Sequence, residues 1–254
     1  MKSMLQHILG RKTALICSTM ALFFATVIAV VPTAYADDKA ASADEITVLF
    51  RAARTVISKN QGLINEQGTG KILTADYVVG EAKSNFKKSS GHDLDLANDP
   101  LGAKAAMLSA VAKVMDNAQP LINDPDKGFK GFLPAIFARL VATSFGKETG
   151  GKMKIKLTAP KKYVRNRGNR PDSWESNVID TMFSASGYEK GKPFFENADI
   201  KGKPAFRYIL PEYYGESCLG CHGGPAGEKD ITGGKKEGGK LGELGGAISL
   251  AIFD

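Results

Sequence analysis

Two thiols and an imidazole stand at a chemically meaningful spacing near the C-terminal end, in Cys218-Leu219-Gly220-Cys221-His222. Cys-x-x-Cys-His is the attachment signature of a c-type haem. Two thiols separated by two residues reach the two vinyl groups on one edge of a porphyrin and form thioethers. The next residue then sets an imidazole under the iron as proximal ligand. The same thiol pair has two other chemistries open to it. It can close a disulfide in an oxidising compartment, or cycle as a thioredoxin-like redox pair. Structural zinc is poorly served, because it needs four ligands and the chain after residue 36 offers these two cysteines, His92 and His222. The histidine directly after the second cysteine, together with an export signal, puts the weight on one covalent haem c.

The other face of the iron has several candidates. His92 is the remaining histidine after residue 36, and imidazole is a favoured haem ligand. Its neighbourhood, Ser89-Ser90-Gly91-His92-Asp93, also suits a solvated surface loop. Met107, Met115, Met153 and Met182 are alternatives, although methionine at helical or strand spacing usually fills core. An open or water-filled position is equally compatible with the sequence. Arg165 or Arg167 can pair with a haem propionate, since a guanidinium matches a carboxylate in bidentate fashion. The plainer role for that block is a turn leading into a capped helix. Tyr208, Tyr213 and Tyr214 precede the motif, and their rings can line a haem or pack a sheet edge. Trp174 reads as packing. No Ser-His-Asp set or paired-carboxylate site stands out, so no catalytic residue is assigned and an enzyme is not expected.

The N-terminus addresses the compartment. Lys2, Arg11 and Lys12 make a basic start, and an apolar run follows over residues 13–31. Pro32 breaks it, and Ala34-Tyr35-Ala36 gives a small-x-small site before Asp37-Asp38. That is the anatomy of a secretory signal peptide over residues 1–36. The run is also long enough to span a bilayer, so an uncleaved anchor is the alternative. Cys17 does not make a lipoprotein, because bulky Ile16 precedes it where a small residue is needed. Cleavage after Ala36 takes 36 of 254 residues, leaves 218, and lowers the formal charge from +7 to about +4. A mildly basic periplasmic protein suits an acidic redox partner. Nothing interleaves basic and aromatic residues as nucleic acid binding would require. No stable membrane span is expected after cleavage.

Several elements must position the motif. Ile46, Leu49, Phe50, Ala53, Val56 and Ile57 predict a helix over residues 44–59, with Asp44 as cap. Residues 62–70 read as a loop. Helices are predicted over residues 74–86 with Thr74 as cap, over 101–118 ending before Pro120, and over 134–145 with Gly146 as the stop. Met153, Ile155 and Leu157 alternate with lysines, which predicts a half-buried strand over residues 152–157. Pro171 and Asp172 open a helix that runs through Phe183. Further strands are predicted over residues 205–210 and 244–253. The motif lies between them in a Gly-rich stretch that reads as a tight turn after His222 followed by an exposed loop.

Several blocks then carry a family resemblance. They are Gly131-Phe132-Leu133-Pro134-Ala135-Ile136-Phe137-Ala138, Ile155-Lys156-Leu157-Thr158, and Arg165-Asn166-Arg167-Gly168-Asn169-Arg170-Pro171-Asp172-Ser173-Trp174-Glu175. Ala205-Phe206-Arg207-Tyr208, the motif with Gly223, and Gly245-Gly246-Ala247-Ile248-Ser249 continue the series. In this order and spacing the chain resembles the PAS-like c-type haem domain, long catalogued as a domain of unknown function. That family occurs as periplasmic sensor modules of bacterial chemoreceptors and histidine kinases and as stand-alone haem proteins.

The resemblance implies an α+β fold, an antiparallel sheet flanked by helices with haem against one face. It implies Cys218 and Cys221 as thioether sites and His222 as proximal iron ligand. Some stand-alone relatives take a cysteine ligand from the helix before the first central strand. Residues 134–145 contain no Cys, His or Met, so thiolate ligation is not expected here. The chain is expected to divide into a leader at 1–36, a helical N-terminal part at 37–127 and a PAS-like haem core at 128–254. The expected function is an exported monohaem c-type cytochrome that passes single electrons to a redox partner protein. The alternative is a haem-based redox or gas sensor. No kinase or methyl-accepting module follows the last strand, so such a sensor is expected to act through a separate signalling protein.

Overall fold

The computed structural model describes residues 33–253, and the leader reading falls mostly outside them. Helices come first: α1 (Thr33–Lys59), α2 (Gln61–Asn65), α3 (Ala75–Ser90), α4 (Ala103–Ile122) and α5 (Pro134–Glu148). The sheet follows as β1 (Met153–Thr158), β2 (Phe194–Asn197), β3 (Ala205–Tyr213) and β4 (Leu244–Phe253). It has four strands in the order β1-β4-β3-β2, and every pairing is antiparallel. Between β1 and β2 lies α6 (Ser173–Asn177), continued by a π-helical turn, Val178–Phe183. Between β3 and β4 lies α7 (Glu216–His222). This is an α+β fold with helices against an antiparallel sheet. No helix among the described residues is long and apolar enough to cross a membrane.

Strand alternation sorts side chains to two covered faces. Phe206, Tyr208 and Leu210 of β3, Ile248, Leu250 and Ile252 of β4, and Met153 and Ile155 of β1 share one face. There they join Phe50, Phe86, Phe137 and Phe145 in one continuous apolar cluster with α1 to α5. The opposite face carries Ile209 and Ala247, which pack with Val178, Ile179 and Phe183 of the π-helical turn. The two long strands are therefore apolar almost throughout, because both faces are covered. Met107, Met115 and Met153 are buried in the helical-side cluster, and Met182 packs on the other. All four act as core packing.

Side-chain caps set the starts of α3 and α6. The Thr74 hydroxyl accepts from the Tyr77 amide at 3.2 Å and caps α3. Asp172 and Glu175 make a reciprocal capping box, with the Glu175 amide on Asp172 at 2.9 Å and the Asp172 amide on Glu175 at 2.8 Å. Other ends depart from expectation. Asp44 does not cap α1, which begins at Thr33; its carboxylate instead accepts the Tyr208 hydroxyl across the core. α4 runs through Pro120 to Ile122, although a proline there has no N–H to give the carbonyl one turn back. α5 runs past Gly146 to Glu148, and Gly150 and Gly151, both at positive φ, turn the chain into β1. α2 forms inside the stretch expected to be loop, and β2 is a short edge strand with no periodic signal.

Candidate functional site

β3 delivers the motif. Its pairing with β4 shifts register between Glu212 and Tyr213, which bends the strand end. Glu212 is held there by two guanidiniums of α1: Arg51 Nε donates at 2.5 Å, and Arg54 also pairs with it. Ser58 of α1 bonds Ser217 of α7, Oγ to Oγ, at 3.0 Å. The start of α7 is thus fixed against the C-terminal part of α1.

α7 has seven residues. Cys218 and Cys221 stand three apart, so one helical face carries both thiols. Both are free and partly exposed. Burial, with the Asp230 carboxylate nearby, pushes the Cys221 thiol up from its ordinary value. His222 closes the helix. Its Nδ1 lies 2.8 Å from Glu237 Oε2, and its ring stacks on Tyr214 with centroids 5.4 Å apart and planes 17° from parallel. Its carbonyl accepts from the Gly239 amide at 2.7 Å.

Tyr214 is wedged between two glycines. A Cβ on Gly239 would stand 2.5 Å from Tyr214 Cε2 and 2.9 Å from the His222 carbonyl oxygen. A Cβ on Gly245 would collide with the other edge of the same ring. Tyr163 tilts against Tyr214 at 6.1 Å and donates its hydroxyl to Glu243 at 2.6 Å. Burial, then the Glu237 carboxylate, raises the Tyr214 hydroxyl pKa well above the ordinary tyrosine value, so the ring stays neutral.

Arg165 ties the loop together. Nε donates to Glu237 Oε1 at 2.5 Å and Nη1 pairs with Asp230. Nη2 donates to the Cys221 carbonyl at 2.6 Å and the Lys235 carbonyl at 2.9 Å. Asp230 is buried, which opposes its charge. The Thr232 hydroxyl at 2.6 Å, the Arg165 guanidinium and the Thr232 amide at 2.8 Å outweigh that and hold its carboxyl well below the usual carboxylate range. Glu237 is likewise held low against burial, by its bonds to Arg165 and His222. Further backbone bonds, Gly227 to Lys236 and Lys236 to Glu228 at 2.8 Å each, cross-link the stretch expected to be a simple exposed loop.

The sequence candidates separate on this geometry. Arg165 is at the site, where its donors bond the attachment loop itself. Arg167 lies in an exposed turn, Arg167–Asn169. Tyr208 sits on the helical face of the sheet, fully buried, hydrogen-bonded to Asp44 and stacked on Phe195. Tyr213 meets Lys190 over its ring, and only Tyr214 touches His222. His92 follows Gly91 at the end of α3, with its ring edge on Phe86 at 5.5 Å and Nδ1 facing the Asp93 carbonyl at 3.1 Å. Its partners belong to the helical layer. Glu237, Asp230 and Glu243 carry no sequence signal, because lone acids among glycines and lysines resemble a solvated loop, and Tyr163 is a single ring after two lysines in a short turn.

The donor set fits a c-type haem. Cys218 and Cys221 would form the thioethers, and His222, with Nδ1 committed to Glu237, leaves Nε2 for iron. Among the described residues, no group of three or more His, Cys, Asp or Glu is placed to hold a bare metal ion. An iron carried in a porphyrin asks less of the protein, because the macrocycle supplies four donors.

A family model described as Tll0287-like matches residues 34–252. The chain belongs to the Tll0287-like family. That family is PAS-like and haem-related. The match takes in α1 to α5 as well as the sheet, so the resemblance extends well upstream of residue 128. No curated protein and no solved structure matched the chain.

Proposed function

We propose that this Tll0287-like protein is an exported monohaem c-type cytochrome that passes single electrons in the periplasm. Membership of a haem-related family supports a cytochrome-like domain. The observation that carries the finer reading is the arrangement of α7: two free thiols on one helical face, then an imidazole whose Nδ1 is already engaged by Glu237. Haem, when bound, supplies the one-electron couple. Cys218 and Cys221 would anchor it and His222 would supply a nitrogen ligand, while Tyr214 packs the imidazole and Arg165 holds the loop behind it. The partner is a redox protein that meets the exposed side of α7, and nucleic acid has no part.

A second reading is favoured by the ties that join α1 to the end of β3 and the start of α7. Arg51 and Arg54 on Glu212, and Ser58 on Ser217, join the motif to the first helix. Through them a displacement of α7 reaches the N-terminal segment, as a redox or gas sensor acting on a separate signalling protein would need.

Periplasmic expression with the c-type attachment machinery tests the first reading. The pyridine haemochrome of the purified protein should carry the signature of two thioethers, and Cys218→Ser with Cys221→Ser should abolish covalent haem. A wild-type protein that takes up no covalent haem under these conditions sinks the proposal. Spectra of the reduced protein with and without carbon monoxide divide carrier from gas sensor, since a six-coordinate haem indifferent to carbon monoxide excludes the latter.

A further inference from the structure

A histidine that ligates a metal through one nitrogen is controlled through the other. A hydrogen bond from Nδ1–H fixes the tautomer and ring orientation, and a carboxylate acceptor raises the basicity of the ligating nitrogen. In this chain that acceptor is a side chain. Glu237 Oε2 lies 2.8 Å from His222 Nδ1. The carboxylate is itself immobilised: Arg165 Nε meets Oε1 at 2.5 Å and Arg165 Nη2 meets Oε2 at 3.0 Å. Tyr214 lies against the face of the imidazole, so the ring is fixed both in plane and about its bond.

The charges around this contact do not cancel. Arg165 shares its single positive charge between Glu237 and Asp230. Two carboxylates and one guanidinium leave one net negative charge behind His222. Glu237 is only 11% exposed, so solvent screens it weakly. Reduction of a haem iron removes one positive charge from the metal. A fixed negative charge beside the ligating histidine would therefore favour the oxidised form.

We infer that Glu237 is a positioning residue that keeps the proton of His222 on Nδ1 and lowers the reduction potential of the haem this site takes. The inference rests on the haem reading above and adds to it a residue from the Gly-rich loop. It also gives that loop a purpose, since the Arg165–Asp230 pair and the Gly238 and Gly239 amides bring Glu237 to the histidine.

Two measurements test it. Nitrogen-15 spectra of the full chain as isolated, labelled at histidine and recorded where imidazole is neutral, should show the His222 proton on Nδ1, whether haem is attached or not. His7→Ala and His92→Ala assign the signals of the three histidines. A His222 ring protonated on Nε2 in the wild-type protein overturns the proposal, and this needs no variant to fold. The second measurement is spectroelectrochemical titration of haem-loaded wild type and Glu237→Gln. Glutamine keeps an oxygen acceptor and removes the charge. Its potential should rise so that the reduced-to-oxidised ratio at a fixed ambient potential increases about tenfold, which is about 59 mV for one electron. An unchanged potential in a variant that keeps its covalent haem overturns the proposal. Pyridine haemochromes of both samples report haem attachment separately. Loss of haem from the wild type counts against the haem reading, while the nitrogen spectrum still decides the role of Glu237.

Discussion

Arg165 Nη2 donates to the backbone carbonyl of Cys221 at 2.6 Å, across 56 positions of sequence. This bond joins the turn before α6 to the attachment helix itself. The same guanidinium meets Asp230 and Glu237, whose side chains are 0% and 11% exposed. Removing it leaves two largely buried carboxylates without their cation, which is costlier than losing a surface pair. Because Arg165 is itself 28% exposed, the cost is discounted for screening to about 2 kcal/mol for Arg165→Ala. Arg165→Lys should recover only part, since an ammonium cannot serve both acids and both carbonyls at once. Urea unfolding measures this as a lowered midpoint at unchanged slope. An Arg165→Ala midpoint equal to wild type would show that the hub does not stabilise the fold.

Tyr214 and its two glycines predict a coupling. A methyl group at Gly239 or Gly245 meets the ring, and overpacking of this kind costs about 1–3 kcal/mol. Gly245→Ala should be destabilising in wild type and much milder in a Tyr214→Ala background, where the ring is gone. The double-mutant cycle isolates that term. Additive costs would mean that the steric conflict is relieved elsewhere.

The sequence spoke clearly where a signal is local. Thr74 and Asp172 cap the helices they precede, and the apolar stripes of α3 to α5 and the Lys-spaced strand β1 lie where periodicity puts them. It was silent where partners are distant. Asp44 has the composition of a helix cap, yet α1 starts well upstream and the carboxylate meets Tyr208 instead. Glu237 and Asp230 acquire meaning only when the chain folds back on Arg165, 72 and 65 positions away. Arg165 itself stood out by type, but composition cannot tell a guanidinium that faces a propionate from one already committed to two acids. β2 was illegible because an edge strand with exposed side chains has no alternation to read.

His92 predicts a spectroscopic null result. It packs edge-on against Phe86 in the helical layer and shares no contact with Tyr214, Arg165 or Glu237. Its replacement by Ala should leave the absorption spectrum of haem-loaded protein unchanged in both oxidation states. Stability should fall by at most about 1 kcal/mol, the worth of one exposed aromatic edge contact. A changed Soret band would place His92 on the iron.

Asp230 predicts how the fold answers to acid. Burial opposes its charge, but the Thr232 hydroxyl, Arg165 and the Thr232 amide outweigh burial and hold the folded carboxyl well below the ordinary range. An unfolded aspartate titrates near about 3.9. The folded pKa lies lower, so between the two the unfolded chain binds more protons and stability rises with pH. The contribution of Asp230 is therefore fully present above about pH 5. It declines as pH falls through about 4 and is gone once the folded carboxyl is protonated too. Glu237 is held low as well, but it is present in both proteins compared and its contribution largely cancels in their difference. Wild type should exceed Asp230→Asn by a constant margin from about pH 5 to 8, and the margin should shrink steadily below pH 4. Thermal melts across that range measure it. A margin that stays the same from neutral pH down to about 3 would mean that the Asp230 charge, and with it the ion pair to Arg165, contributes nothing to the fold.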